Sequence, residues 1–91
     1  MNTLVSIPKV YNKRDRGIPS GAVYIGRPSP WGNPFHIGKD GTRAEVVEKF
    51  RQYLNKKPEL VQKAKRELAG KSLICWCAPL ACHGDVWMEV I

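Results

Sequence analysis

The densest set of chemically capable side chains is the segment Cys75-Trp-Cys77-Ala-Pro-Leu-Ala-Cys82-His83-Gly-Asp85. On an extended strand Cys75 and Cys77 project to one side and Trp76 to the other, while Cys82 and His83 stand where a terminal helix begins. Three chemistries fit that pattern. Backbone N–H groups at a helix start hold an anion such as phosphate, with His83 moving a proton, Asp85 acting as acid or base, and Cys82 available as a thiolate. Alternatively, Cys75, Cys77, Cys82 and His83 are four zinc ligands, although C-x-C and adjacent C-H are tighter than usual ligand spacing. In the third reading the cysteines are small buried hydrophobes and His83 is hydrogen-bonded at a helix start. Three clustered cysteines make no closed disulfide framework, which points away from a stapled secreted scaffold.

A second candidate segment is Arg27-Pro-Ser29-Pro-Trp31-Gly-Asn33-Pro-Phe35. Arg27 suits bidentate recognition of phosphate or carboxylate, Ser29 and Asn33 add neutral hydrogen-bonding groups, and Trp31 or Phe35 either stack on a ligand ring or plug the core. Arg43 lies in the first turn of an expected helix, where a cation is disfavoured, and is a candidate to reach into the same cleft. His36 is read as a surface residue that can assist. Tyr24, Trp76 and Trp87 are assigned to the core.

Short β-branched or aromatic runs at Thr3 to Ile7 and Ala22 to Ile25 read as strands, separated by a polar basic loop from Asn12 to Gly21. Gly26 to Gly41 has too much Gly and Pro for helix or sheet, so it reads as an ordered loop anchored by Trp31, Phe35 and Ile37. Thr42 and Glu45 have the spacing of a capping box, and Val46, Val47, Phe50, Tyr53 and Leu54 form one apolar helical stripe. Pro58 stops that helix or opens another, in which Leu60, Val61, Ala64 and Leu68 repeat the spacing and Gly70 suits the end. Ser72 to Cys77 reads as a buried strand, and Val86, Trp87 and Val90 fall at helical spacing after it. The expected fold class is α/β: a single small domain over 1–91, with a short mixed or parallel sheet of about three strands covered by about three helices. Within it, 1–21 holds an N-terminal strand and the basic loop, and 22–91 holds the motif-bearing core.

In such sheets ligands sit beyond the carboxyl ends of the strands, and both candidate segments leave from strand ends, so they are expected to wall one cleft. Ninety-one residues allow one core, and 43% hydrophobic with 25% charged residues lies in the globular range. The formal net charge is +7; residues 1–44 hold seven basic and two acidic residues and 45–91 hold eight and six, so the N-terminal half carries the field. That field favours polyanionic partners. No apolar run approaches a membrane span and no signal-peptide layout opens the chain, so the expected location is cytoplasmic, with no membrane partner.

Tyr24-Ile-Gly-Arg-Pro-Ser-x-Trp-Gly-Asn-Pro-Phe35, Gly41-Thr-Arg43 and Cys75-Trp-Cys-x-Pro-x-x-Cys-His-Gly-Asp85 together resemble the domain-of-unknown-function family numbered 4326, found in phages and bacteria. The resemblance runs from about Val23 to Ile91 and implies no settled activity. A weaker similarity is to family 488, which also has a strand ending in Cys, a short turn, and Cys-His opening a helix. Where that family has arginine after Cys-His, this chain has Gly84. The similarity implies the strand-to-helix geometry and speaks against zinc, because the turn forms there without a counterpart of Cys77.

The functional expectation is therefore a domain that binds a nucleotide, nucleotide-sugar or nucleic-acid phosphate between the Arg27–Phe35 loop and the Cys82–His83 helix start, with glycosidic or base-modifying chemistry as its enzymatic extension. No cofactor is required by this reading. The alternative is a non-enzymatic module, either a zinc-stabilised nucleic-acid binder or a phage-type protein that meets an acidic host protein through its basic surface.

Overall fold

A computed structural model describes residues 8–78 and 80–91. Three strands, β1 (Val10–Asn12), β2 (Val23–Tyr24) and β3 (Leu73–Cys75), form one sheet in the order β1-β3-β2, with both pairings parallel. Three helices, α1 (Arg43–Asn55), α2 (Pro58–Glu67) and α3 (His83–Val90), complete the α/β domain. The strand expected at Thr3 to Ile7 lies outside the described residues. The first described strand instead begins at Val10, between the expected strand and the basic loop, and takes in Asn12, the first residue of that loop; pairing of Val10 with Leu73 and Asn12 with Cys75 recruits it.

Alternation along β3 sets the layering. Leu73 and Cys75 are buried and Ile74 is half-buried on the opposite side. The buried side meets Val86 and Trp87 of α3, and with Phe50, Leu54, Ala64 and Leu68 it makes the core. Trp87 is completely buried; its Nε1–H donates to the Trp31 carbonyl at 2.9 Å, and its ring meets Trp31 edge-on at 5.5 Å and Phe50 at 5.6 Å. Trp31 therefore belongs to the core.

The expected capping box opens α1. Thr42 Oγ1 accepts the Glu45 N–H at 3.2 Å, and Glu45 Oε1 accepts the Thr42 N–H at 2.8 Å. Val46, Phe50 and Leu54 are its buried residues, and Pro58 opens α2 rather than merely ending α1. Arg51 ties α1 to α3 through paired hydrogen bonds to Glu89, 3.1 Å from Nε and 2.8 Å from Nη2. Among the described residues, no helix is long and apolar enough to cross a membrane.

Candidate functional site

The loop after β2 is built from its own polar groups. The Ser29 N–H donates to the Gly26 carbonyl, Ser29 Oγ accepts the Trp31 N–H, and the Gly32 N–H returns to the Ser29 carbonyl. Asn33 joins this loop to α1: its Nδ2 donates to the Val46 carbonyl at 3.2 Å, and its Oδ1 accepts the Phe35 N–H at 2.9 Å. Arg27 Nη1 donates to the Asn33 carbonyl at 2.7 Å, which fixes the guanidinium and leaves its other N–H groups for another partner. The Arg27–Pro28 peptide bond is cis. A Cβ on Gly32 would stand 3.0 Å from Arg27 Cγ, so glycine lets the loop close over the arginine.

The turn after β3 is held by backbone donors. Cys75 Sγ lies 3.2 Å from Cys82 Sγ. The Cys82 hydrogen bond, reinforced by the N–H groups of Cys77 and Ala78, lowers the Cys75 thiol below the ordinary range, while the same contact and burial raise Cys82. Cys82 is the N-cap of α3 in a capping box with Asp85, whose Oδ2 accepts the Cys82 N–H at 3.0 Å. Gly84 follows because space demands it: an added Cβ would lie 3.0 Å from Val10 and 3.1 Å from Ile25.

His83 is buried, with its ring edge-on to Phe50 at 5.3 Å. Its Nε2 lies 2.8 Å from the Ile25 carbonyl oxygen, which can only accept, so the proton sits on Nε2 and Nδ1 keeps its lone pair. Burial lowers its pKa, the nearby charge of Arg27 lowers it further, and the imidazole is neutral at pH 7.

These two segments wall one cavity of about 280 Å³, with Arg27, Asn33 and Phe35 on one side, Cys75, Trp76, Cys82 and His83 on the other, and Arg43 with Val46 and Val47 contributed by α1. Arg43 Nη1 donates to the Ala81 carbonyl at 3.2 Å, so α1 is strapped to the cysteine turn. No Asp or Glu is among the described lining residues.

A family model described as "Domain of unknown function (DUF4326)" matches residues 9–91. The chain belongs to DUF4326. The match includes β1 and the basic loop, which the sequence motifs did not reach. The chain is 34% identical over 73 residues to the uncharacterized 12.4 kDa protein in the nrdA-td intergenic region of Enterobacteria phage T4, covering 76% of this chain and 66% of that protein. No solved structure matches the chain.

Within this DUF4326 domain the sequence candidates separate. Arg27, Asn33, Arg43, Cys82 and His83 line the cavity, as does His36; Ser29, Trp31 and Asp85 do not. Asn33 contributes to the wall with its amide engaged at both ends. Phe35 lines the cavity while packing edge-on against Tyr53 at 6.3 Å. At that helix start the Cys82 and Asp85 N–H groups are engaged in the cap, the first by the Asp85 carboxylate and the second by Cys82. Cys82 is paired with Cys75, not with His83.

The zinc alternative needed Cys75, Cys77, Cys82 and His83 to converge. Among the described residues, no group of three or more His, Cys, Asp or Glu side chains is placed to hold a metal ion, while Cys75, Cys77, Cys82 and His83 all line the cavity and the Cys75 and Cys82 sulfurs lie 3.2 Å apart. Trp76 corrects its core assignment, being 51% exposed at the cavity rim. Sequence reasoning also missed Ile37, Val46 and Val47 as lining residues; no signal distinguished them from ordinary apolar positions.

Proposed function

We propose that the cavity binds the phosphate-bearing part of a nucleotide or nucleic acid, with Arg27 and Arg43 as its anion ligands. The observation that carries this reading is the pair of guanidinium groups, brought from a loop and a helix to one cavity whose described lining has no carboxylate. Each is anchored through one N–H to a backbone carbonyl, so each is oriented before a ligand arrives. Phe35 supplies flat apolar surface for a base or sugar ring. The volume is near the lower end of ligand pockets, about 300 Å³, which suits one mononucleotide-sized group. Cys75 at the floor is nearly sealed, and its sulfur is held by its own donors. Asp85 is held by the helix cap, so the reading is of binding, with His83 as a neutral polar wall.

Thermal shift with dTMP, dAMP and inorganic phosphate tests it. Nucleotides raise the melting temperature of the wild type, and Arg27→Ala and Arg43→Ala each weaken binding by roughly 10- to 100-fold, the worth of a charged hydrogen bond. No shift with any nucleotide, or shifts in both variants as large as that of the wild type, refutes the reading.

A further inference from the structure

The sheet has two unlike faces. Val10, Leu73 and Val23 are in register and point to the helices, so their neighbours Tyr11, Ile74 and Tyr24, also in register, point the other way. Trp76, two residues beyond Ile74, continues that outward row. Among the described residues this row lies outside the buried core and the side chains packed against it, and the Trp76 indole is the most exposed of the Trp, Tyr and Phe side chains.

This outward row is held in place by hydrogen bonds. Trp76 Nε1–H donates to Tyr24 Oη at 3.1 Å, and the Tyr24 hydroxyl donates to the Arg27 carbonyl at 3.3 Å, linking the indole to the mouth of the cavity. Asn12 fixes the other side: its Nδ2 donates to the carbonyls of Trp76 and Ala78, both at 2.9 Å, and its Oδ1 accepts the Arg14 N–H at 2.9 Å. Cations cover the rings. Lys13 lies 4.8 Å from the Tyr24 ring centre and 5.9 Å from that of Trp76, and the Arg14 guanidinium lies 5.5 Å from Trp76.

We infer that this face binds single-stranded nucleic acid, the base next to the cavity-bound nucleotide stacking on Trp76 while Lys13 and Arg14 turn to the adjoining phosphates. The inference rests on the nucleotide reading of the cavity and extends it from one nucleotide to a strand. An unpaired base offers the indole a flat partner, and phosphates are stronger partners for the two cations than the rings they now cover. A duplex has its bases already stacked. An acidic peptide supplies carboxylates but nothing flat for the indole.

The test compares dTMP with an oligo-dT of about six nucleotides by calorimetry and tryptophan emission. Wild type binds the oligonucleotide at least about 10-fold more tightly than dTMP, and its emission is quenched, since Trp76 is exposed while Trp31 and Trp87 are buried. Trp76→Ala lowers oligonucleotide affinity roughly 5- to 100-fold, whereas Trp76→Phe keeps most of the affinity and loses the quench. The inference is overturned if the oligonucleotide binds no more tightly than dTMP, if Trp76→Ala leaves it unchanged, or if duplex DNA or polyglutamate competes equally well. In those cases dTMP binding that is lost in Arg27→Ala leaves the cavity reading standing. Failure of both dTMP and oligo-dT to bind overturns the cavity reading, and the strand inference with it.

Discussion

At His83, burial sets the protonation state, and the protonation state sets what the side chain contributes. The imidazole is packed between Phe50 and the Ile25 carbonyl at the cavity wall, and its folded pKa lies below the ordinary value of 6.5. As the pH falls below about 6.5, the unfolded chain takes up a proton that the folded chain refuses, so stability falls with pH; above that range His83 is neutral in both states and its effect vanishes. Thermal melts between pH 7.5 and 5 check this. The wild-type melting temperature drops on acidification, and it drops less in His83→Gln, whose amide keeps a donor for the Ile25 carbonyl; parallel curves contradict the assignment. His83 was legible as a site residue because Cys-His stood before an apolar helical stripe. Its tautomer was not, because that depends on a carbonyl 58 residues away. Trp76 was misassigned for a related reason: alternation told which side of the strand it takes, but only the placement of the helices told that this side is open.

Among the elements, α1 was the most legible, since Thr42 and Glu45 encode its start locally and its apolar stripe is continuous. β1 was the least legible. Three residues carry too little pattern to announce a strand, and its pairing with β3 spans more than sixty positions of sequence. The start of α3 lies between these cases, because Cys82 and Asp85 form a capping box without the usual Ser or Thr at its first position. Its approach to the sheet depends on Gly84, where any side chain meets Val10 and Ile25. Gly84→Ala is expected to cost about 1 to 3 kcal/mol through overpacking, read from the urea midpoint; an unchanged midpoint means that α3 docks less tightly than described.

Over the whole molecule, parallel pairing explains why the two distant motifs meet. β1, β2 and β3 run in one direction, so the segments leaving their ends emerge at one edge: Lys13 and Arg14 from β1, Arg27 from β2, Trp76 from β3. The order of strand, helices and strand allowed that convergence to be anticipated, although the Asn33 strut and the Arg43 strap were not visible before the loops were placed. The same edge gathers basic residues from the half of the sequence that carries most of the +7 charge. Oligonucleotide affinity should therefore fall steeply between 50 and 200 mM salt, and titrations that give a flat response contradict a phosphate-centred interface.

Amide and guanidinium chemical-shift mapping during a dTMP titration shows where the ligand sits. Perturbations concentrated at Arg27, Arg43 and the Ala81–His83 backbone are the predicted result. Saturable binding that leaves those signals in place and shifts the lysine-rich surface of α2 instead contradicts the account.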